Sequence, residues 1–159
     1  MISRSLLIIH GPNLNLLGRR EPEIYGTQTL EMINQETIRK GRDLGLTLSC
    51  RQSNHEGEII DWLQQAEEQG FSGVIINPAA YTHTSIAIRD AIAAIRLPVI
   101  EIHLSNIFSR EDFRRKSLTG AVCRGSICGF GPISYQLAVE AFNTILLTDA
   151  HHNTANPRL

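Results

Sequence analysis

The chain has 159 residues, which is the length of one domain with one buried core. Hydrophobic residues make up 42% of it and charged residues 19%, so the composition excludes an intrinsically disordered protein. The formal net charge of −1 and the absence of any apolar run near the roughly 18 residues of a membrane span give no reason to expect nucleic acid or a membrane as partner.

Short β-rich runs alternate with helical patterns along the chain. Strands are predicted at Ser5–His10, Thr47–Gln52, Gly73–Asn77, Pro98–His103 and Gly120–Gly129. Helices are predicted at Thr29–Leu44, Glu56–Gln69, Thr84–Ile95 and Ile133–Thr148. Ser53 and Glu56 have the spacing of a capping box at the start of the second helix.

This alternation predicts one α/β domain over residues 1–150, in the form of a flavodoxin-like three-layer sandwich. Its five-stranded parallel sheet is expected to have the strand order 2-1-3-4-5. The polar segment at residues 151–159 is predicted to be a disordered tail.

The three cysteines are Cys50, Cys123 and Cys128, an odd number without metal-site spacing. We therefore expect reduced, structural thiols in a cytoplasmic protein that stays in the compartment where it is made.

The connection between the first strand and the first helix, residues 11–28, is unusually long. It has about 18 residues where such loops usually have 2–6, and it contains GPNLNLLGRREPEIYG. Loops of this length in compact domains are commonly binding loops or lids, so this segment is predicted to be functional.

Polar side chains follow three strands whose carboxyl ends are predicted to meet at one edge of the sheet, where ligands of such folds bind. They are Asn13, Arg20 and Tyr25 after strand one, Asn77 and His83 after strand three, and His103, Ser105 and Arg114 at and after strand four. Each has an ordinary structural alternative: a turn, a helix cap, a core histidine, a solvated arginine or a loop anchor. Their shared position favours a pocket for a polar small molecule.

Several chemistries lack their motifs in this sequence. There is no P-loop, no G-x-G-x-x-G after strand one, no G-x-S-x-G and no metal-ligand cluster. The two lysines, Lys40 and Lys116, do not have the surroundings expected of a Schiff-base residue. The remaining possibility is acid–base chemistry by Tyr25 and His103 on an anionic substrate. This chemistry would use no cofactor and no metal.

Five motifs in order, spread over residues 6–149, resemble the type II 3-dehydroquinate dehydratases: GPNLNLLGRREPEIYG, QSNHEGEIIDWL, INPAAYTHTSIAIRDAI, EIHLSNIFSREDFRRKS and GFGPISY. The resemblance implies a hydro-lyase that converts 3-dehydroquinate to 3-dehydroshikimate by anti elimination through an enolate. This reaction belongs to the shikimate pathway to chorismate and aromatic amino acids, and also to quinate breakdown. The resemblance further implies a homododecamer built as a tetramer of trimers.

The resemblance also implies a role for each matching residue. Tyr25 would be the base, His103 the acid, and Arg20 the cation that holds Tyr25 as tyrosinate. Asn13 would position a water or the enolate, and Asp90 would reach the active site of a neighbouring subunit. The remaining residues that would bind substrate are Asn77, His83, Leu104, Ser105 and Arg114.

Two proteins of another class share the predicted fold, a flavin-binding module and a receiver-like signalling module. A flavin module needs a Ser/Thr-rich phosphate loop after strand one, where this chain has GPNLNLL. A receiver needs a phosphorylatable Asp after strand three, where this chain has Asn77-Pro78. Both alternatives are therefore disfavoured by the sequence.

Overall fold

Five parallel strands form one sheet in the computed structural model, which describes residues 4–19 and 22–154. The strands are β1 (Ser5–His10), β2 (Thr47–Gln52), β3 (Gly73–Asn77), β4 (Val99–His103) and β5 (Gly125–Cys128). Their spatial order is β2-β1-β3-β4-β5, so the predicted order 2-1-3-4-5 is confirmed. β1, β3 and β4 are almost wholly buried, which their apolar sequences require in the middle of a parallel sheet.

Helices cover both faces of this sheet. They are α1 (Pro22–Tyr25), α2 (Leu30–Asp43), α3 (Glu56–Gln65), α4 (Ile86–Ala94) and α5 (Ile133–Thr154). Successive residues of β1 point to opposite faces, so Leu6 and Ile8 pack in the core under α2 and α5, and Leu7 and Ile9 in the core under α3 and α4. The result is the predicted three-layer sandwich.

Two predicted element boundaries were wrong at the C-terminal end of the chain. Residues Gly120–Val122 form a 3-10 turn, and β5 begins only at Gly125. α5 continues through Thr154, well past Thr148 and into the segment predicted as a tail, while residues 155–159 lie outside the described part of the chain.

The predicted capping box of Ser53 and Glu56 was also wrong. α3 has His55 as its N-cap, without a side-chain hydrogen bond. Ser53 Oγ instead accepts from the His55 backbone N–H at 2.9 Å and donates to Glu58. The carboxylate of Glu56 accepts a hydrogen bond from Ser85, the N-cap of α4, and so joins two helices rather than capping its own.

The three cysteines have free thiols. Burial raises the pKa of Cys50 to about 12, and the charge of Glu31 adds to the effect. Burial raises the pKa of Cys123 to about 12 as well, with a further contribution from Glu101. Both thiols are therefore protonated at neutral pH, as expected of structural cysteines.

No helix within residues 4–19 and 22–154 has the length and apolar character that crossing a membrane requires.

A substitution at Gly73, the first residue of β3, tests how tightly α5 packs on the sheet. A Cβ at this position would lie 2.3 Å from the ring of Phe142, which is fully buried. We expect Gly73→Ala to lower the free energy of unfolding by about 1–3 kcal/mol, the usual cost of overpacking a core. Gly125→Ala is the matched control, because a Cβ at that strand position meets nothing within 4 Å. Urea denaturation of both variants checks this, and equal stability would contradict the tight packing.

Candidate active site

A cavity of about 190 Å³ lies at the carboxyl ends of β1, β3 and β4. Seven of the ten predicted site residues line it: Asn13, Asn77, His83, His103, Leu104, Ser105 and Arg114. They come from three separate segments of the chain, which the parallel sheet brings to one edge. The structure therefore places these seven residues at the strand ends, as predicted from the sequence.

Next to the cavity, the loop after β1 passes close to the loop after β3. The backbone N–H of Gly11 donates to the Asn77 carbonyl at 2.8 Å. A Cβ at Gly11 would lie 2.5 Å from the Pro78 carbonyl oxygen, so only glycine permits this approach. Asn13 then adopts a left-handed conformation with φ 67°, which asparagine tolerates better than most residues. Its backbone N–H donates to Asn54 Oδ1 at 2.9 Å.

Asn77 and His83 are each held by hydrogen bonds that fix which atoms remain for a ligand. Asn77 is nearly fully buried, and its Oδ1 accepts from the Ala79 backbone N–H at 3.1 Å. His83 Nδ1 lies 2.8 Å from the Lys116 carbonyl, which can only accept, so Nδ1 carries the hydrogen. Nε2 of a neutral His83 is then the acceptor of this ring.

His103, the last residue of β4, is paired with the buried carboxylate of Glu101. His103 Nε2 lies 2.7 Å from Glu101 Oε1, and Glu101 is fully buried. Ser117 Oγ donates to Oε1 at 2.8 Å, and Thr119 Oγ1 donates to Oε2. Burial alone pushes the pKa of Glu101 up, but the hydrogen bond and charge of His103 and the two hydroxyl donors outweigh it and lower the pKa below its usual range. Glu101 is thus an anion and can only accept, so Nε2 of His103 carries a hydrogen.

Two arginines give the cavity a positive side. Arg110 and Arg114 both line it, and Arg110 Nη1 donates to Ser105 Oγ at 3.3 Å. Arg114 Nε lies 3.2 Å from Glu111 Oε2, yet among the described residues it has no properly oriented hydrogen-bond partner. A buried guanidinium N–H in that state is suited to an anionic ligand.

The sequence analysis selected neither Arg110, which lines the cavity, nor Glu101, which pairs with His103. Arg110 is in the same SREDFRR run as Arg114, which was a usable signal. Glu101 is a charged residue between two isoleucines of the buried strand VIEIH, a pattern that indicates a buried partner.

Beneath the cavity a second polar cluster connects Asn77 to helix α2. Asn77 Nδ2 lies 3.3 Å from the hydroxyl of Tyr135, which is 2.7 Å from His10 Nδ1. His10 Nε2 lies 2.8 Å from Asn34 Oδ1. His10 and Tyr135 are fully buried. Burial lowers the pKa of His10 to about 4, against a smaller opposite effect of the Asn34 hydrogen bond, so this imidazole is neutral at physiological pH.

Of the remaining three predicted site residues, two have side chains that the structure does not describe. Arg20 lies outside the described residues, and for Tyr25 only the backbone, the last residue of α1, is described. Asp90 is exposed on α4, where its carboxylate is 3.4 Å from Arg89 Nη1.

The chain is similar in sequence and in fold to proteins of one family. Residues 4–143 match the family described as Dehydroquinase class II. The chain belongs to that family. A 3-dehydroquinate dehydratase of Deinococcus radiodurans is 55% identical over 141 residues, which cover 89% of this chain and 99% of the relative.

Solved structures of class II dehydroquinases agree in fold. The type II dehydroquinase of Propionibacterium acnes superimposes with a TM-score of 0.86 at 43% identity, covering 90% of this chain and 98% of that one. The type II dehydroquinase of Butyrivibrio crossotus gives 0.87 at 44% identity, covering 89% and 98%. Membership in this family decides against the flavin-binding and receiver alternatives.

The buried His10 of this class II dehydroquinase makes stability depend on pH. Its folded pKa of about 4 lies below the unfolded value of 6.5, so between these values the unfolded chain binds a proton that the folded chain does not. The contribution of His10 to the free energy of unfolding is therefore present above pH 6.5, and it falls as the pH drops toward 4. Between pH 7 and pH 5 we expect His10 to account for a loss of about 2 kcal/mol in the free energy of unfolding.

Denaturant titrations at pH 7 and pH 5, at one protein concentration, check this expectation. His10→Gln should lose most of that pH dependence, whereas His55→Gln, at an exposed histidine, should keep it. An unchanged pH dependence in His10→Gln would contradict a neutral, buried imidazole.

Proposed function

We propose that this chain is a hydro-lyase, a 3-dehydroquinate dehydratase that forms 3-dehydroshikimate and water in the shikimate pathway. The observation that carries the proposal is His103, which is paired with a buried carboxylate and opens on an arginine-lined cavity in a class II dehydroquinase. Loss of water from a substrate that bears a carboxylate needs an acid to protonate the departing hydroxyl and cationic groups to bind the carboxylate.

In this proposal His103 is the acid. Its Nε2 is occupied by Glu101 at 2.7 Å, so Nδ1 is the nitrogen left to exchange a proton with substrate. The buried carboxylate of Glu101 accepts the Nε2 hydrogen of His103, and it also accepts hydrogen bonds from the hydroxyls of Ser117 and Thr119. Protonated His103 would give its Nδ1 hydrogen to the departing hydroxyl, which leaves as water.

Tyr25 is the base in this proposal, and Arg20 is its activator. Both belong to the long loop after β1, at positions matching the family's motif. A tyrosine with pKa near 10 is ionised only about one part in a thousand at neutral pH, and a guanidinium within about 4–6 Å lowers that pKa by 1–3 units. Tyrosinate would remove the proton beside the ketone, giving the enolate that expels the hydroxyl.

The other lining residues would bind the substrate. Arg114 and the backbone of Leu104 and Ser105 would hold its carboxylate and nearby hydroxyls, since Arg114 Nε lacks an oriented partner among the described residues. Asn77 and His83 would bind hydroxyls. Asn13, on the loop that also carries Tyr25, would position a water or the enolate.

The assembly and location follow the family in this proposal. We propose a homododecamer of four trimers in the cytoplasm, in which Asp90 completes the site of a neighbouring subunit. The exposed position of the Asp90 carboxylate on α4 is compatible with such a contact, and the free thiols are compatible with a reducing compartment.

The direct test is turnover of 3-dehydroquinate by purified protein, followed by the ultraviolet absorbance of the conjugated enone product. A rate no higher than the uncatalysed one would overturn the proposed function.

Tyr25→Phe tests the base. Removal of the hydroxyl leaves no group to abstract the proton, so we expect kcat to fall by at least about 10²-fold, the lower range for losing a general base. Binding of 3-dehydroquinate, measured by calorimetry, should persist because the ring remains. Tyr81→Phe is the control, since the Tyr81 hydroxyl donates to the Asn54 carbonyl and the residue is outside the cavity wall. Near-normal turnover by Tyr25→Phe would rule out this base.

Asp90 is tested by mixing subunits. We expect Asp90→Asn alone to lose about 10- to 100-fold in kcat/KM, the range for one charge-assisted hydrogen bond. Mixed oligomers of Asp90→Asn and Tyr25→Phe subunits should regain activity, because some sites then combine an intact Tyr25 with a neighbour's intact Asp90. Asp61→Asn, at an exposed carboxylate on α3, is the control and should be neutral. No recovery, with oligomer mass confirmed by native mass spectrometry, would contradict a shared site.

A further inference from the structure

A continuous line of hydrogen bonds runs from the cavity wall through the core to helix α2. It joins Asn77 on β3, Tyr135 on α5, His10 on β1 and Asn34 on α2. The heavy-atom distances along it are 3.3, 2.7 and 2.8 Å. None of the proposed chemical steps uses Tyr135, His10 or Asn34, although the two middle members are fully buried polar groups.

The direction of every bond in this line is fixed by the chemistry of its ends. Asn77 Oδ1 accepts from the Ala79 backbone, so the atom facing Tyr135 is the amide nitrogen Nδ2, which can only donate. The Tyr135 hydroxyl is therefore an acceptor from Asn77, and its single hydrogen is left for His10 Nδ1. Nδ1 must be unprotonated, which puts the hydrogen of the neutral ring on Nε2, where Asn34 Oδ1 accepts it.

We propose that Tyr135 is a positioning residue for the reaction, which holds the amide of Asn77 so that the second Nδ2 hydrogen serves a substrate hydroxyl in the cavity. This inference rests on the proposed function for the identity of the substrate. Asn77 is anchored at both ends, by Ala79 on Oδ1 and Tyr135 on Nδ2, so its amide cannot flip without breaking two bonds. His10 and Asn34 keep the Tyr135 hydroxyl turned so that its lone pair faces Asn77.

A neutral histidine is well suited to the middle of this line. Burial holds its pKa at about 4, so Nδ1 stays an acceptor across the physiological range. The two groups that are hydrogen-bonded to this ring are uncharged: the Tyr135 phenol, whose pKa burial raises, and the Asn34 amide.

The kinetic test compares Tyr135→Phe with Ser134→Ala. Tyr135→Phe keeps the ring and removes only the hydroxyl, which leaves the Asn77 amide held by the Ala79 backbone N–H but not by Tyr135. We expect KM for 3-dehydroquinate to rise about three- to ten-fold, the worth of one neutral hydrogen bond, with kcat changed less than about two-fold. Ser134→Ala removes a neighbouring buried hydroxyl that has no partner among the described residues, and it should leave both constants unchanged.

A double-variant cycle separates positioning from a general loss of packing. If Tyr135 acts through Asn77, Tyr135→Phe should raise KM no further in an Asn77→Ala background. Additive effects in the double variant, or an unchanged KM in Tyr135→Phe alone, would overturn the proposal.

Neutron diffraction from deuterium-exchanged wild-type crystals tests the bond directions without any variant or substrate. Deuterium on His10 Nε2 and on the Tyr135 oxygen, with none on His10 Nδ1, is the expected result. Deuterium on Nδ1 would overturn the assigned direction. If the wild-type protein failed to turn over 3-dehydroquinate, the proposed function would fall, and the diffraction result would still decide the arrangement of the four residues.

Discussion

The site depends on the parallel pairing of β1 with β3, which sets His10 beside Asn77 at the carboxyl ends of the two strands. Because these strands lie next to each other but are far apart in sequence, the loops that leave them meet at once. Gly11 passes so close to Pro78 that no side chain fits between them. The cavity residues that follow β1 and β3 are positioned by this close contact between the two loops.

The fourth strand adds the charged part of the site. A carboxylate without exposure is costly to bury, and Glu101 is kept ionised by one histidine and two hydroxyls. The same set of bonds that compensates Glu101 also restricts the His103 ring to one orientation. The hydrogen bonds that stabilise the strand end therefore also orient His103, the proposed acid, and we expect changes in Ser117 or Thr119 to affect both.

Much of this molecule could be predicted from its sequence because its signals are local. The strands SLLIIH and GVIIN contain the continuous apolar runs LLII and VII, and β1, β2 and β3 have the predicted ends. Residues at strand ends were found in the same way, since a parallel sheet brings all such ends to one edge. The hydroxyl partners of Glu101 and the histidine partner of Tyr135 could not be found, because Ser117, Thr119 and His10 lie far from them along the chain. The capping box failed for a similar reason: Ser85 of a different helix takes the carboxylate of Glu56.

The line of hydrogen bonds from Asn77 to Asn34 has a consequence for how such a chain can vary. Its four members come from four different elements, and each bond has only one workable direction. A single substitution that reverses or removes one donor leaves an unmatched group in the core, where it costs about 1–3 kcal/mol. Neutral drift at these positions is therefore expected to proceed by paired replacements, so that in a set of relatives positions 10, 34, 77 and 135 would vary together or stay fixed together.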